Sequence, residues 1–360
     1  MDPLLNILII GAGAIGCLVG GKLAQHGESV ILVGRPKLAQ AVHAIGLHMD
    51  EAGESQRIDD LGVATSVAEA FALAMELEMA FDLAIVTVKS YDTDGVAEEL
   101  AAALAETNVP PPVLLSLQNG VGNEERLAAL VGADHVIAGS ITAPVSMLAP
   151  GHIRVEKPTY SISLAAWDAD HPAANLKECA ATLERAGFTL HRHENAQSMK
   201  WTKLLMNMMG NALCAIMDEP PKQVYADPRM LDLEIAAWRE ALMVMKQSGI
   251  RPLNMGSYPL KWLSPLIRRA PKPVLRMALG QIVGGARGGK TPSLHMDLSR
   301  GKTRNEVAWL NGAVVRQGRA VGVPTPVNAL LNDTLLTLVS NNEEWDGWRH
   351  NHDRLWQAAP

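Results

Sequence analysis

The stretch NILIIGAGAIG, residues 6 to 16, constrains the fold more than any other part of the chain. A short aliphatic run leads into Gly11, Gly13 and Gly16, a GxGxxG placed where a strand ends and a helix begins. The first glycine permits a tight turn, the second lets the backbone approach a pyrophosphate, and the third lets helix and strand pack closely. The helix start then offers unpaired N–H groups and a partial positive charge to phosphate oxygens. Gly11, Ala12, Gly13, Ala14, Ile15 and Gly16 are therefore the candidate dinucleotide-binding residues. A purely structural glycine turn is the competing explanation.

The first half of the chain continues in the same manner. Short β-rich runs at 6–10, 30–33, 83–88, 113–117 and 136–140 alternate with helical runs such as 13–26 and 96–106. That alternation predicts a parallel sheet covered on both faces. After about His193 the composition shifts to long stretches rich in Leu, Met and Ala without strand character. The expected fold class is α/β, a Rossmann-type doubly wound sheet followed by an all-helical domain. The expected boundaries are 1–193 for a nucleotide-binding domain, 194–345 for a helical substrate domain, and 346–360 for a C-terminal tail.

The second strand discriminates between cofactors. An NAD site would place Asp or Glu at its end to hold the ribose 2′-hydroxyl, whereas the chain reads VILVGRPK, with Arg35 after Gly34. A guanidinium suits a 2′-phosphate, with Lys37 as a helper, and NADP(H) is the expected cofactor. Two further loops lie past candidate strands: Lys89 in VTVKSYDT and Asn119 in LSLQNGVGNEE. Ligands of open α/β sheets bind at the carboxyl ends of strands, so both residues are placed to meet cofactor or substrate.

The stretch KWTKLLMNMMGNALCAI, residues 200 to 216, is apolar except for a narrow stripe. Wound as one helix at about 100° per residue, it puts Lys200, Lys203, Asn207, Gly210 and Asn211 within an arc of roughly 100°. A surface helix shows a broad face of mixed charge; this stripe has no acid. It predicts a helix buried on most sides and polar where it faces a ligand.

Other chemistries find little support. With a net charge of −6 the chain has no global basic footprint for nucleic acid. Its three cysteines are scattered, with no CxxC pair and no histidine cluster at ligand spacing, so no structural metal is expected. The N-terminus lacks a basic n-region and an AxA cleavage site, and the apolar run after it is interrupted by glycines. A cytoplasmic protein with no membrane partner is the expectation. A helical domain rich in Met and Leu is compatible with a homodimer.

Taken together, the blocks GAGAIG, VKSYDT, QNGVGNEE and KWTKLLMNMMGNAL, with a weaker fifth block SLHMDLSRGKTRNEVAWLNG, resemble the ketopantoate reductases, or 2-dehydropantoate 2-reductases. The resemblance runs from residue 6 to about 323. It implies a reductase that converts ketopantoate to pantoate with NADPH, on the way to pantothenate and coenzyme A, with the active site between two domains. Lys203 then matches the catalytic lysine that protonates the carbonyl oxygen. Asn207 and Asn211 match substrate-binding asparagines, and Ser293 a serine at the substrate carboxylate. Glu306 matches a glutamate near the catalytic lysine and the cofactor. Lys89 and Asn119 match residues at the nicotinamide and substrate, and Arg35 the anchor of the adenosine 2′-phosphate.

Two competing readings remain at this point: a same-fold reductase of another 2-oxo acid, and a non-catalytic NADP-sensing protein. Thr303-Arg-Asn-Glu306 also reads as a capping box for the helix that follows. The chain departs from the family between Arg251 and Lys290, where eight Lys or Arg occur without a single Asp or Glu. That segment is either a basic flap over an anionic ligand or a solvated insertion between helices.

Overall fold

The computed structural model describes residues 4–256, 258–277 and 291–360. The chain divides into two compact units, Met1–Ala196 and Gln197–Pro360.

Among its described residues the first unit has twelve strands: β1 (Asn6–Ile10), β2 (Ser29–Val33), β3 (Leu47–Glu51), β4 (Glu54–Ile58), β5 (Gly62–Ala64), β6 (Leu83–Val86), β7 (Val113–Ser116), β8 (Val136–Thr142), β9 (Val145–Ala149), β10 (His152–Val155), β11 (Ser161–Ala166) and β12 (Thr189–Arg192). Eight of them form one sheet in the order β12-β11-β8-β7-β6-β1-β2-β5. Every pair in it is parallel except β11 with β8. Strand β1 shows why both faces must be covered. Ile7 and Ile9 enter the core on one side, while Leu8 and Ile10 enter the core on the other. Alternate residues of a strand point to opposite faces, so a continuous aliphatic run has nowhere to go but between two helical layers.

All five strands expected from the sequence are present, with ends that shift by one or two residues. A second, four-stranded sheet, β4-β3-β10-β9, did not figure in the sequence expectation. Its β4 reads ESQRI and is largely exposed, and a polar edge strand of this kind carries little hydrophobic signal.

The second unit is helical among its described residues, apart from an isolated bridge between Met255 and Tyr258. Its longest described helix, Pro228–Gln247, begins at Asp227, whose side chain accepts from the Arg229 N–H, with proline at the first position. Glu240 on that helix accepts from the backbone N–H groups of Val327 and Asn328 at 2.9 Å, and so caps helix Pro326–Ser340. Burial pushes the Glu240 carboxyl above its ordinary pKa, and these hydrogen bonds act against that push.

Residues 346–360 differ from a loose tail. The Trp345 indole N–H donates to the Ile216 carbonyl at 3.0 Å, and the His350 N–H donates to the Met217 carbonyl at 2.9 Å. His352 lies between Glu219 and Asp227 at 2.9 and 3.1 Å, and Leu355 is buried. Apolar and polar anchors together bind the segment to the second unit. No helix among the described residues is long and apolar enough to cross a membrane.

Candidate active site

In the first unit the glycine turn is built as a backbone cradle. Gly11 has φ +110°, a conformation that L side chains rarely adopt. A Cβ there would come within 2.7 Å of Val88, and one at Gly16 would strike the Gly11 carbonyl and the Thr87 hydroxyl. The Thr87 hydroxyl donates to the Gly11 carbonyl at 2.7 Å and ties the turn to the end of β6. Gly13 is different, since a Cβ there would meet nothing within 4 Å. Gly13 is also the N-cap of helix Ala14–Gln25, with no side chain capping the first turn. Space above a helix start with open N–H groups fits a pyrophosphate. Ala12 is buried behind the turn, and its N–H donates to the Val33 carbonyl at 2.8 Å.

Arg35 follows β2 at the N-cap of helix Pro36–Ile45 and is exposed, as is Lys37. No ion pair engages Arg35 among the described residues, so its fork is available to an anion. The glycine turn fits the pyrophosphate of a dinucleotide.

The loops after β6 and β7 are joined by side chains. Ser90, next to Lys89, donates to the Asn119 carbonyl at 2.6 Å. The Asn123 amide donates to the same carbonyl at 3.0 Å and to the Ser90 hydroxyl at 3.2 Å. Thr93 donates to Asn123 at 2.9 Å, and Gln118 donates to Thr93 at 2.8 Å and to the Val88 carbonyl at 3.2 Å. Lys89 is half-buried and the Asn119 side chain exposed. Ser90, Thr93, Gln118 and Asn123 are not among the residues expected at the site, although they lie inside the blocks VKSYDT and QNGVGNEE. Their signal was their amide and hydroxyl chemistry at strand ends, where polar groups become buried and must find partners.

In the second unit, helix Ala196–Met208 carries Lys200, Lys203 and Asn207. Both lysines are buried, at 2% and 8% exposure, and Asn207 is half-buried. Burial, helped by the charge of Lys200 one turn away, lowers the Lys203 pKa to about 8. The expected continuous helix through Ile216 is broken. It stops at Met208 and resumes as Ala212–Met217. Gly210 between them has φ +61°, donates to the Glu234 carboxylate at 3.1 Å, and faces Tyr225, whose hydroxyl lies 2.9 Å from where a Cβ would stand. The Tyr225 hydroxyl donates to the other Glu234 oxygen at 3.0 Å. Apolar periodicity cannot reveal such a break, because the buried face continues on both sides of it.

Asn211 stands just after the break, at the N-cap of helix Ala212–Met217. Its amide donates to the Asn207 carbonyl at 3.0 Å and to the Ser293 hydroxyl oxygen at 3.3 Å, and its oxygen accepts from the Leu294 N–H at 3.0 Å. Both amide hydrogens are therefore engaged inside the unit. Asn211 holds the start of helix Ser293–Ser299, while Ser293 keeps its own hydroxyl proton. Glu306 is buried at the start of the short 3₁₀ turn Glu306–Trp309. The capping-box reading fails there, since the cap is Asn305, whose side chain accepts from the Val307 N–H at 2.9 Å and donates to the Leu294 carbonyl at 3.3 Å. Asn211 and Asn305 thus converge on Leu294.

Of segment 251–290, residues 278–290 and Ser257 lie outside the described residues. The described part includes helix Leu260–Arg269.

With this geometry in view, the comparisons with known proteins are direct. The family model described as ketopantoate reductase PanE/ApbA matches residues 7–169, and its C-terminal counterpart matches residues 195–338. The chain belongs to the ketopantoate reductase family. It is an oxidoreductase of the NAD(P)H-dependent kind. The 2-dehydropantoate 2-reductase of Pyrococcus horikoshii is 29% identical over 327 residues, covering 91% of this chain and 95% of that protein. That of Archaeoglobus fulgidus is 28% identical over 339 residues, covering 94% and 98%. The crystal structure of a PanE/ApbA family ketopantoate reductase from Ralstonia eutropha superposes with a TM-score of 0.76 at 27% identity, covering 94% of this chain and 99% of that one. D-mandelate dehydrogenase, solved with NADH and anilino(oxo)acetate, shares the fold with a TM-score of 0.74 at 20% identity, covering 95% and 98%.

Proposed function

We propose that this ketopantoate reductase family member reduces 2-dehydropantoate to pantoate with NADPH, as a step of pantothenate and coenzyme A synthesis. The first unit is the cofactor domain and the second the substrate domain in this reading. The observation that carries it is a buried lysine on a mostly apolar helix, with a pKa lowered to about 8 and Asn207 four residues on. An acid with that pKa is mostly protonated at neutral pH yet gives up its proton readily, which suits a general acid.

Gly11 to Gly16 would hold the pyrophosphate of the cofactor and Arg35 its 2′-phosphate, with Lys89, Asn119 and Glu306 at the nicotinamide end. NADPH supplies the hydride. As the carbonyl is reduced, the Lys203 ammonium would stabilise the negative charge that develops on its oxygen and would protonate it. Asn207 and Asn119 fix the substrate's polar groups. The Ser293 hydroxyl donates to the substrate carboxylate, and Asn211 acts by holding Ser293 in position.

A panel of 2-oxo acids assayed with NADPH and with NADH tests the reading. Ketopantoate should give the highest kcat/KM, and NADPH should outrank NADH. Higher kcat/KM on a bulkier 2-oxo acid would overturn the substrate while leaving the chemistry in place. Arg35→Gln should weaken NADPH by about 10- to 100-fold, as the loss of a charged hydrogen bond implies, and leave NADH nearly unchanged. Equal losses on both cofactors would remove Arg35 from the 2′-phosphate.

A further inference from the structure

The basic segment that the proposed chemistry leaves unused contributes to a hollow. This half-open cavity of about 300 Å³ lies in the second unit, and exposed Lys246 and Arg251 and half-buried Arg268 are among its lining residues. They come from three stretches of chain. Lys246 is in the last turn of helix Pro228–Gln247, Arg251 follows the turn at Gly249, and Arg268 is in the last turn of helix Leu260–Arg269. Leu242, Ile250 and Pro252 supply apolar wall.

Among the described residues no hydrogen bond or ion pair engages any of the three side-chain cations. The segment 251–290 contains no carboxylate that could do so. Neighbouring cations are treated differently. Arg276 makes a two-pronged contact with Asp232 at 2.7 and 2.5 Å, and Arg239 donates to the carbonyls of Ile267 and Ala270. Three like charges gathered around one concavity repel one another, and a bound anion adds attractions that offset that repulsion.

We propose that this cavity binds a small phosphate-bearing polyanion between the guanidinium groups of Arg251 and Arg268 and the Lys246 ammonium. Arginine forks match phosphate oxygens in pairs, and the apolar wall accommodates an organic remainder. The site is joined to the helix of Lys203. The Arg251 N–H donates to the Ser198 hydroxyl at 3.4 Å, and the Leu253 N–H to the Thr202 hydroxyl at 2.9 Å. Occupancy therefore acts on the segment that supports Lys203. That coupling rests on the reading of Lys203 given above; the binding does not.

Pyrophosphate titrated calorimetrically into the full chain at low salt, with saturating NADPH to fill the cofactor's own phosphate positions, tests the binding without turnover. One equivalent should bind with a Kd of about 1 mM or below, weakening as salt rises. The double variant Arg251→Gln, Arg268→Gln should lose at least about tenfold in affinity, whereas Lys222→Gln, an exposed control, should lose nothing. Lys246→Gln provides a milder variant should the double one unfold. Absence of binding to wild type, undiminished binding by the arginine and Lys246 variants, or an equal loss in the control would overturn the site. Pyrophosphate should also change kcat/KM of wild type and not of the double variant. Binding without any kinetic change would overturn the coupling alone.

Discussion

The glycine turn after β1 and the lysine helix Ala196–Met208 are built by opposite means. The turn is made by leaving side chains out, so that backbone N–H groups and empty space face a ligand. The helix is made by burying side chains that would ordinarily sit in water, and the environment changes what they are chemically. At Gly11 and Gly16 the backbone cradle tolerates no added atom, whereas a buried side chain depends on everything packed around it. The first is a problem of shape, the second of electrostatics and support.

The largest expected effect falls on the helix. Lys203→Ala should lower kcat/KM by about 10²–10⁴, the usual range for a lost general acid, while NADPH affinity stays within about twofold. In wild type, kcat/KM should fall as pH rises through about 8, because the acid must carry its proton and its pKa lies there. Steady-state kinetics across pH 6 to 10 checks both, and a rate independent of pH over that span would remove Lys203 from the proton transfer.

The two ends of the glycine turn should then separate. Gly16→Ala meets backbone and should destabilise the first unit by about 1–3 kcal/mol, as overpacking does. Gly13→Ala meets only open space, so its melting temperature should match wild type while, in the proposed binding mode, NADPH binds at least about tenfold more weakly. Calorimetry and cofactor titration on the pair would break the comparison if both variants behaved alike.

A smaller effect tests support within the helical unit. Asn211→Ala leaves the Leu294 N–H without its acceptor, and should destabilise the fold by about 1–3 kcal/mol in denaturant titration. Smallest is the expected effect of Lys200→Met. Removing that charge should move the alkaline limb of the rate profile upward by a fraction of a pH unit, since Lys200 is the lesser cause of the lowered Lys203 pKa. A downward shift would contradict the sign.

The contrast also explains what could be read from the sequence. Gly11, Gly13 and Gly16 announce themselves because few other residues meet their steric demands, and β1 announces itself because both its faces are apolar. The second sheet was silent, since β4 is polar and exposed. In the helical unit the residue types were legible but their arrangement was not. Nothing in KWTKLLMNMMGNAL distinguishes a continuous helix from one broken at Gly210 except the partners Tyr225 and Glu234, far along the chain. Likewise the hydrogen bonds that join Asn211 to Ser293 and Leu294 link residues more than eighty positions apart, which no local pattern shows.

The mesh of Ser90, Thr93, Gln118 and Asn123 carries a consequence for how such a chain can change over generations. Hydrogen bonds of Ser90 to Asn119, Thr93 to Asn123, Gln118 to Thr93 and Asn123 to Ser90 join two loops that begin on different strands, so neither loop can be rewritten alone. Substitutions on the two sides should be epistatic. Once Asn123 is lost, removing the Ser90 hydroxyl costs less than it does in the intact protein, and the loops that bear Lys89 and Asn119 are inherited as one block.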